Sequence, residues 1–425
     1  MPQDNARSAV LSPAPTNEFV HRTLANGIEL AVDHAPERNS VAVCLRMLTG
    51  VADDPPELTG IGAIVERTLS KGTQNFDGRG LADAFDAKGI QWSSNAGRVS
   101  MLVRFVCLPE FVFDAVDLVA EMLCRPIFPA DAVEVAVKLA AEDLRQMEDD
   151  PQELLRIAIQ RLTLGPIIGR YPAGDPDAIP RITREAVVER WRNYYAAGRL
   201  QITAAGPVNA DALAARLAAS FGGFGSPEPH GRIAIDTEFQ PGVAHRQKEL
   251  KQEYIAITMP GLPKGHAEFA REQVLLGVLS GGMSGRLFTE VREKQGLVYW
   301  VAAWHEQLRG RGAIYLGAST TPERCEKTYR TLLREIERIS EDLTIEEVMR
   351  ARNSLIAHAE TEDDLTMSRA VGLSDDLFHF GRPVGLAAKL ASVRAVTLAD
   401  VEDYARGVPR DRLCVATIGP HALTL

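Results

Sequence analysis

At 425 residues, 45% apolar and 24% charged, the chain is too long for one ordinary core and suits two globular domains. A formal net charge of -10 argues against nucleic acid or an anionic membrane surface as partner, since either requires a basic face to neutralise phosphates. The five cysteines, Cys44, Cys107, Cys124, Cys325 and Cys414, form no CxxC pair. That pattern excludes a zinc ribbon or a disulfide framework and suits buried small hydrophobes in a reducing compartment.

In chain order, residues 1–20 carry Asp4 where a secretory signal needs a basic region, and no long apolar run follows; a mobile leader is expected. No later stretch approaches the roughly 18 uninterrupted apolar residues of a membrane span, so a cytoplasmic protein is expected. The stretch "TGIGAIVERTLSKGT", Thr59 to Thr73, predicts a helix that buries Ile61, Ile64, Val65 and Leu69 and leaves Ala63, Glu66 and Arg67 together on another face. Next, "LADAFDAKGIQWSSNAGRVSMLVRFVCLPEFVFDAVDLVAEML" reads as a helix, a turn at Gly89, two strands and a second helix. A long periodic helix is expected over 131–148 and contains Asp143. "ITREAVVERWRNYYAAGRLQITAAGP", Ile182 to Pro207, reads as a helix capped by Thr183 and then a strand.

The run "GGFGSPEPHGR", Gly222 to Arg232, is rich in Gly and Pro and has no periodicity. It belongs to an expected linker, 222–242, between an N-terminal domain at 21–221 and a C-terminal domain at 243–425. The second domain repeats the first. After the strand "EYIAITMP", the segment "RLFTEVREKQGLVYWVAAWHEQLRGRGAIYLGASTTPERCEKTYRTLLREI" gives the same helix, Gly turn, two strands and helix. Gly296 matches Gly89, Pro322-Glu323 matches Pro109-Glu110, and 322–341 is the second helix. "VTLADVEDYARGVPRDRLCVATIGP", Val396 to Pro420, repeats the closing helix and strand with Thr397 as cap; from capping Thr to Gly-Pro the spacing is 23 residues in one half and 22 in the other. This internal duplication predicts an α+β protein of two similar domains, each a mainly antiparallel sheet with helices on one face.

Ala63 and Arg67 stand one helical turn apart, the spacing at which two histidines grip a zinc ion, but neither side chain binds metal. The nine histidines are all at least 13 residues apart, so none form such a pair. The segment nevertheless resembles the inverted zinc motif HxxEH of the pitrilysin and insulinase family of metallopeptidases, including that family's "KGT", here Lys71-Gly72-Thr73. In that family two histidines and a distant glutamate hold zinc, and the intervening Glu activates water. The resemblance puts Glu66 at the general base, Ala63 and Arg67 at the histidines, and Asp143, in "AAEDLRQMEDDP", at the third ligand. It implies a degenerate zinc motif with no metal in this chain. Glu66 is then a solvated or ion-paired helix residue.

"GRYPAGDPDAIPRIT", Gly169 to Thr183, is similar to a loop of the same family, and "LSGGMSGRLFTEVREKQGLVYWVAAW" to its "SRLFxxVREkxGLaYsv" block. The Arg and Tyr of that block hold the substrate backbone and the developing oxyanion; Arg292 and Tyr299 have the same spacing of seven. A guanidinium and a phenol are both donors suited to a carbonyl oxygen gaining charge. The plainer alternative pairs Arg292 with Glu290 or Glu293 and buries Tyr299 in the core. "SGGMSG" lacks the GxxxxGK[ST] form, so Gly281, Gly282 and Gly285 are expected to make a tight turn rather than a phosphate cradle.

The resemblance thus implies a chain with no peptidase activity of its own. It implies the non-catalytic subunit of a heterodimeric zinc peptidase, closing a chamber and supplying Arg292 and Tyr299 in trans. Zinc and the intact HxxEH are expected in a homologous partner, with a peptide as substrate. The alternative is a peptidase-derived scaffold subunit with no proteolytic role. Ala63 and Arg67 argue against a third reading, an independent zinc peptidase.

Overall fold

Two sheets of matching topology carry the chain in a computed structural model that describes residues 19–225 and 239–423. The first is formed by β1 (Phe19–Thr23), β2 (Glu29–His34), β3 (Val41–Met47), β4 (Gln91–Ala96), β5 (Met101–Cys107) and β6 (Leu200–Gly206), in the order β1-β2-β6-β3-β5-β4. The second is formed by β7 (Gly242–Gln247), β8 (Glu253–Gly261), β9 (Val298–Leu308), β10 (Arg311–Thr320) and β11 (Cys414–Gly419), in the order β7-β11-β8-β10-β9. With β1 set aside the two orders correspond strand for strand. The parallel pair β2 and β6 is matched by β7 and β11, and the remaining pairings are antiparallel in both sheets.

The first half contributes the helices α1 (Ile61–Thr68), α2 (Gly78–Asp86), α3 (Val112–Cys124), α4 (Ala130–Met147), α5 (Pro151–Ile168), α6 (Arg184–Tyr194) and α7 (Ala210–Ser220). The second contributes α8 (Phe269–Ser280), a π-helical segment Leu287–Lys294, α9 (Cys325–Asp342), α10 (Ile345–Asp363), α11 (Thr366–Phe380), α12 (Leu386–Ala395) and α13 (Leu398–Gly407). The duplicated signals hold at the level of single residues. Gly89 and Gly296 both turn in the left-handed region, at φ 61° and 59°. Thr183 accepts from the Ala186 N–H and Thr397 from the Asp400 N–H, each capping its helix. Among the described residues no helix is long and apolar enough to cross a membrane.

Alternate residues of the central strands build each core. Val41, Val43, Leu45 and Met47 of β3 face the main cluster of the first half, together with Ile61, Ile64, Val65 and Leu69 from the α1 region. The other face of each sheet departs from the expected pattern, because a helix lent by the opposite half covers it. Leu154, Leu155 and Ile159 of α5 pack on Ala256, Ala313, Tyr315 and Ala416 of the second sheet. In return, Ala370 of α11 packs on Ala42, Cys44 and Ala205, and Leu373 and Leu377 pack on Ala31. Small residues on the receiving strands let the helices approach. With roughly 1.5–3 kcal/mol for each large apolar side chain buried, this exchange binds the halves into one unit.

The expected leader lies outside the described residues except for its last two positions, which open β1. Most of the expected linker, 226–238, also lies outside them. All five cysteines are free and four are buried; burial pushes the thiols of Cys107 and Cys325 up to about 12.

Candidate functional site

The entry to α1 is built around a buried ion pair that the sequence reading did not single out. Asp54 accepts from the Gly60 N–H at 2.9 Å and the Gly62 N–H at 3.4 Å, so its carboxylate caps the helix start. Arg190 of α6 meets the same carboxylate at 3.1 Å and donates to Thr49 Oγ1 at 2.9 Å and to the Gly50 carbonyl at 3.0 Å. Its guanidinium also lies 3.8 Å from the centroid of the Tyr194 ring. Burial pushes the Asp54 carboxyl up to about 6 against the opposing pull of Arg190 and the two backbone donors. Gly60 has no substitute here: its φ is 103°, and a Cβ would lie 2.5 Å from the Gly174 Cα.

From this anchor α1 presents the degenerate motif. Ala63 is almost fully buried. Arg67 donates to Asp143 Oδ2 of α4 at 2.7 Å, so the residue at the second histidine position closes on the residue at the third-ligand position. A guanidinium thus bridges α1 and α4 at the positions that the sequence resemblance matches to metal ligands. Glu66 accepts from the Ser94 hydroxyl of β4, a hydrogen bond that ties α1 to the edge of the first sheet. The donor set does not suit zinc. Neither histidine ligand is present, Asp143 is already engaged by a cation, and among the described residues no cluster of three His, Cys, Asp or Glu could hold a metal.

The Arg67–Asp143 pair is partly solvated, with side chains 33% and 53% exposed. Its loss should cost no more than about 1 kcal/mol. The triple variant Ala63→His/Arg67→His/Asp143→Glu is expected to retain about one equivalent of zinc after dialysis, the three ligands of a catalytic site. The Ala63→His/Arg67→His double variant should retain clearly less, because Asp143 is one methylene short. Metal analysis decides, and equal retention by both variants would show that Asp143 reaches far enough.

Arg292 and Tyr299 lie in the other half, on either side of the Gly296 turn. Arg292 projects from the π-helical segment, an uncommon geometry that recurs at functional sites. It is exposed and lies 5.0 Å from the centroid of the Phe288 ring. The carboxylate of Glu290 is drawn instead to Lys294 at 2.7 Å. Tyr299 is 60% exposed and sits at a β-bulge: Trp300 pairs with Ser319 and Val298 with Thr320, so Tyr299 has no cross-strand partner. Among the described residues neither side chain has a hydrogen bond or an ion pair. No hydrogen bond joins this pair to the Ala63, Glu66, Arg67 and Asp143 group. The "SGGMSG" run makes its turn as expected: Gly282 has φ 87°, and a Cβ on Gly285 would press on the Leu279 carbonyl at 2.9 Å.

Two family models match the chain, one described as Insulinase (Peptidase family M16) over residues 29–166 and one as Peptidase M16 inactive domain over residues 181–355. The chain belongs to the insulinase family. Its similarity to other proteins covers nearly the whole chain. It is 24% identical over 402 residues to the uncharacterized zinc protease YmxG of Bacillus subtilis, covering 94% of this chain and 97% of that protein. It is 26% identical to an uncharacterized zinc protease of Streptomyces coelicolor, covering 94% and 89%. Among solved structures, a peptidase M16 inactive domain from Pseudomonas fluorescens superposes with a TM-score of 0.86 at 20% identity, covering 96% and 99%. A Helicobacter pylori protease gives 0.85 at 16% identity, covering 95% and 99%. These two share the insulinase-type fold.

Three features of the site escaped the sequence reading. The Asp54–Arg190 pair and the Arg67–Asp143 pair each join residues that are far apart in the chain, and neither has a local signature. The third, a pair of tryptophans beside Tyr299, was readable: in "YWVAAW" they fall on one face of a strand, at even spacing.

Proposed function

We propose that this chain is the non-catalytic subunit of a heterodimeric zinc peptidase and acts on a peptide bound to its partner. The metal chemistry belongs to a homologous chain with an intact HxxEH. This chain contributes donors: the Tyr299 hydroxyl and the Arg292 guanidinium meet the scissile carbonyl oxygen as it gains negative charge. The observation that carries the reading is the contrast between the two halves. In one, the ligand positions are filled by an arginine–aspartate pair; in the other, an arginine and a tyrosine stand exposed with no carboxylate or core contact to occupy them.

Assembly is the first test. Mixed with an insulinase-family chain of the same organism that carries HxxEH, the protein should co-elute as one species in size-exclusion chromatography at micromolar concentration. Two independent peaks would remove the heterodimer. Co-elution without any effect on peptidase activity would leave the scaffold reading.

A further inference from the structure

The bulge in β9 does more than free Tyr299. Val298 and Val301, three residues apart, both face the core of the second half. In a regular strand that spacing would put them on opposite sides. The bulge absorbs the extra residue, so Tyr299 and Trp300 both emerge on the side away from the core.

On that side Trp300 opens a cleft of ≈ 360 Å³. Its walls are Trp300 and Trp304 of β9, Tyr254 of β8, and Leu155 and Ile159 of the lent helix α5; its floor is Gly317 of β10. The tryptophan ring centroids are 6.3 Å apart, and Trp304 is held by stacking on buried Tyr315 at 5.6 Å. Gly317 leaves room for the rings, since a Cβ there would lie 2.7 Å from Trp300 Cη2 and 3.1 Å from Trp304 Cη2. The carboxylates at the rim are already engaged. Asp150 caps α5 through the Gln152 and Glu153 N–H groups, and Glu153 is paired with Arg156. Trp300 itself is 39% exposed.

We propose that this cleft is a subsite for one apolar, preferably aromatic, side chain of the peptide whose backbone Arg292 and Tyr299 engage. The proposal rests on the peptide-handling reading above and adds a specificity that the Arg/Tyr pair does not supply. The aromatic walls favour a ring. Trp300 lines the cleft and the exposed Tyr299 precedes it in β9, so the backbone and a side chain of one extended peptide would meet adjacent residues.

The test uses the full chain and three acetylated, amidated pentapeptides that differ only at the centre, Phe, Ala or Lys, with intrinsic tryptophan emission as the readout. The Phe peptide should shift the emission saturably and bind on the order of tenfold to a hundredfold more tightly than the Ala peptide, as burial of one aromatic side chain predicts. Trp300→Ala and Trp300→Gln should each abolish that preference in a chain whose circular dichroism and cooperative unfolding show the fold retained. Equal binding of the Phe and Ala peptides, tightest binding of the Lys peptide, or no emission change at millimolar peptide would overturn the subsite. In the assembled complex, Tyr299→Phe tests the other claim through kcat. A kcat that falls while the Phe preference is absent leaves the function and removes the subsite; a Phe preference with kcat untouched does the reverse.

Discussion

Tyr299→Phe is expected to lower the kcat of the assembled peptidase by about 10²–10³, the usual cost of removing one donor to a developing oxyanion. The substitution deletes a hydroxyl and keeps the ring. Because the side chain is exposed and its hydroxyl has no hydrogen bond among the described residues, the fold loses nothing. Assembly, zinc content and melting temperature should therefore match the parent complex. Arg292→Ala should lower kcat and also raise KM, since a guanidinium that holds the carbonyl before reaction contributes to binding in the ground state. A purely structural role predicts the opposite pattern, a weaker complex whose surviving molecules retain full specific activity. Steady-state kinetics on the isolated complex, read beside its melting curve, separates the two.

The largest effect on stability is expected at Arg190. Arg190→Met leaves the fully buried Asp54 without its cation, a change that costs about 3–5 kcal/mol. The loss should depend on pH. Burial raises the folded-state value of Asp54 from 3.8 to about 6, so the stability linked to its protonation is full below about 3.8 and is lost as pH rises through 6. Removing Arg190 takes away a pull toward the charged form and raises the folded value further. The deficit of the variant should therefore be greatest at pH 7.5 and shrink toward pH 5. The lost hydrogen bonds to Thr49 and Gly50 and the contact with Tyr194 contribute a part that does not change with pH. Chemical denaturation at the two pH values measures the difference, and an identical deficit at both would locate the whole cost in packing.

The parts of the fold that the sequence declared are those set by local chemistry. A left-handed turn admits glycine and little else, so Gly89 and Gly296 could be matched across the two halves before any strand was paired. A threonine three residues before a free backbone N–H marks a helix start, and Thr183 and Thr397 did so. The strand pattern of β5 and the 3.6-residue period of α4 and α9 are equally local.

What stayed hidden depends on partners distant in the chain. The helix α5 is buried along Leu154, Leu155, Ile159, Leu164 and Ile168 and contains the Gly165–Pro166 kink, so it offers no clear stripe to read. That α5 and α11 change places between the halves is a property of the assembled sheets. The same holds at the site. The residue types at positions 63, 66, 67, 143, 292 and 299 were legible, but the closure of Arg67 on Asp143 and the bulge that turns Tyr299 outward appear only when α4 meets α1 and β9 meets β10.

The claim that this chain completes a catalytic chamber made with another is tested most directly by titration. A fixed concentration of the HxxEH-bearing partner, loaded with zinc, is mixed with increasing amounts of this chain, and cleavage of a quenched fluorescent peptide is followed. A rate near background is expected for either chain alone, and a saturable rise that levels off at one equivalent for the mixture. A partner that is fully active alone and unaffected by added chain would contradict the claim.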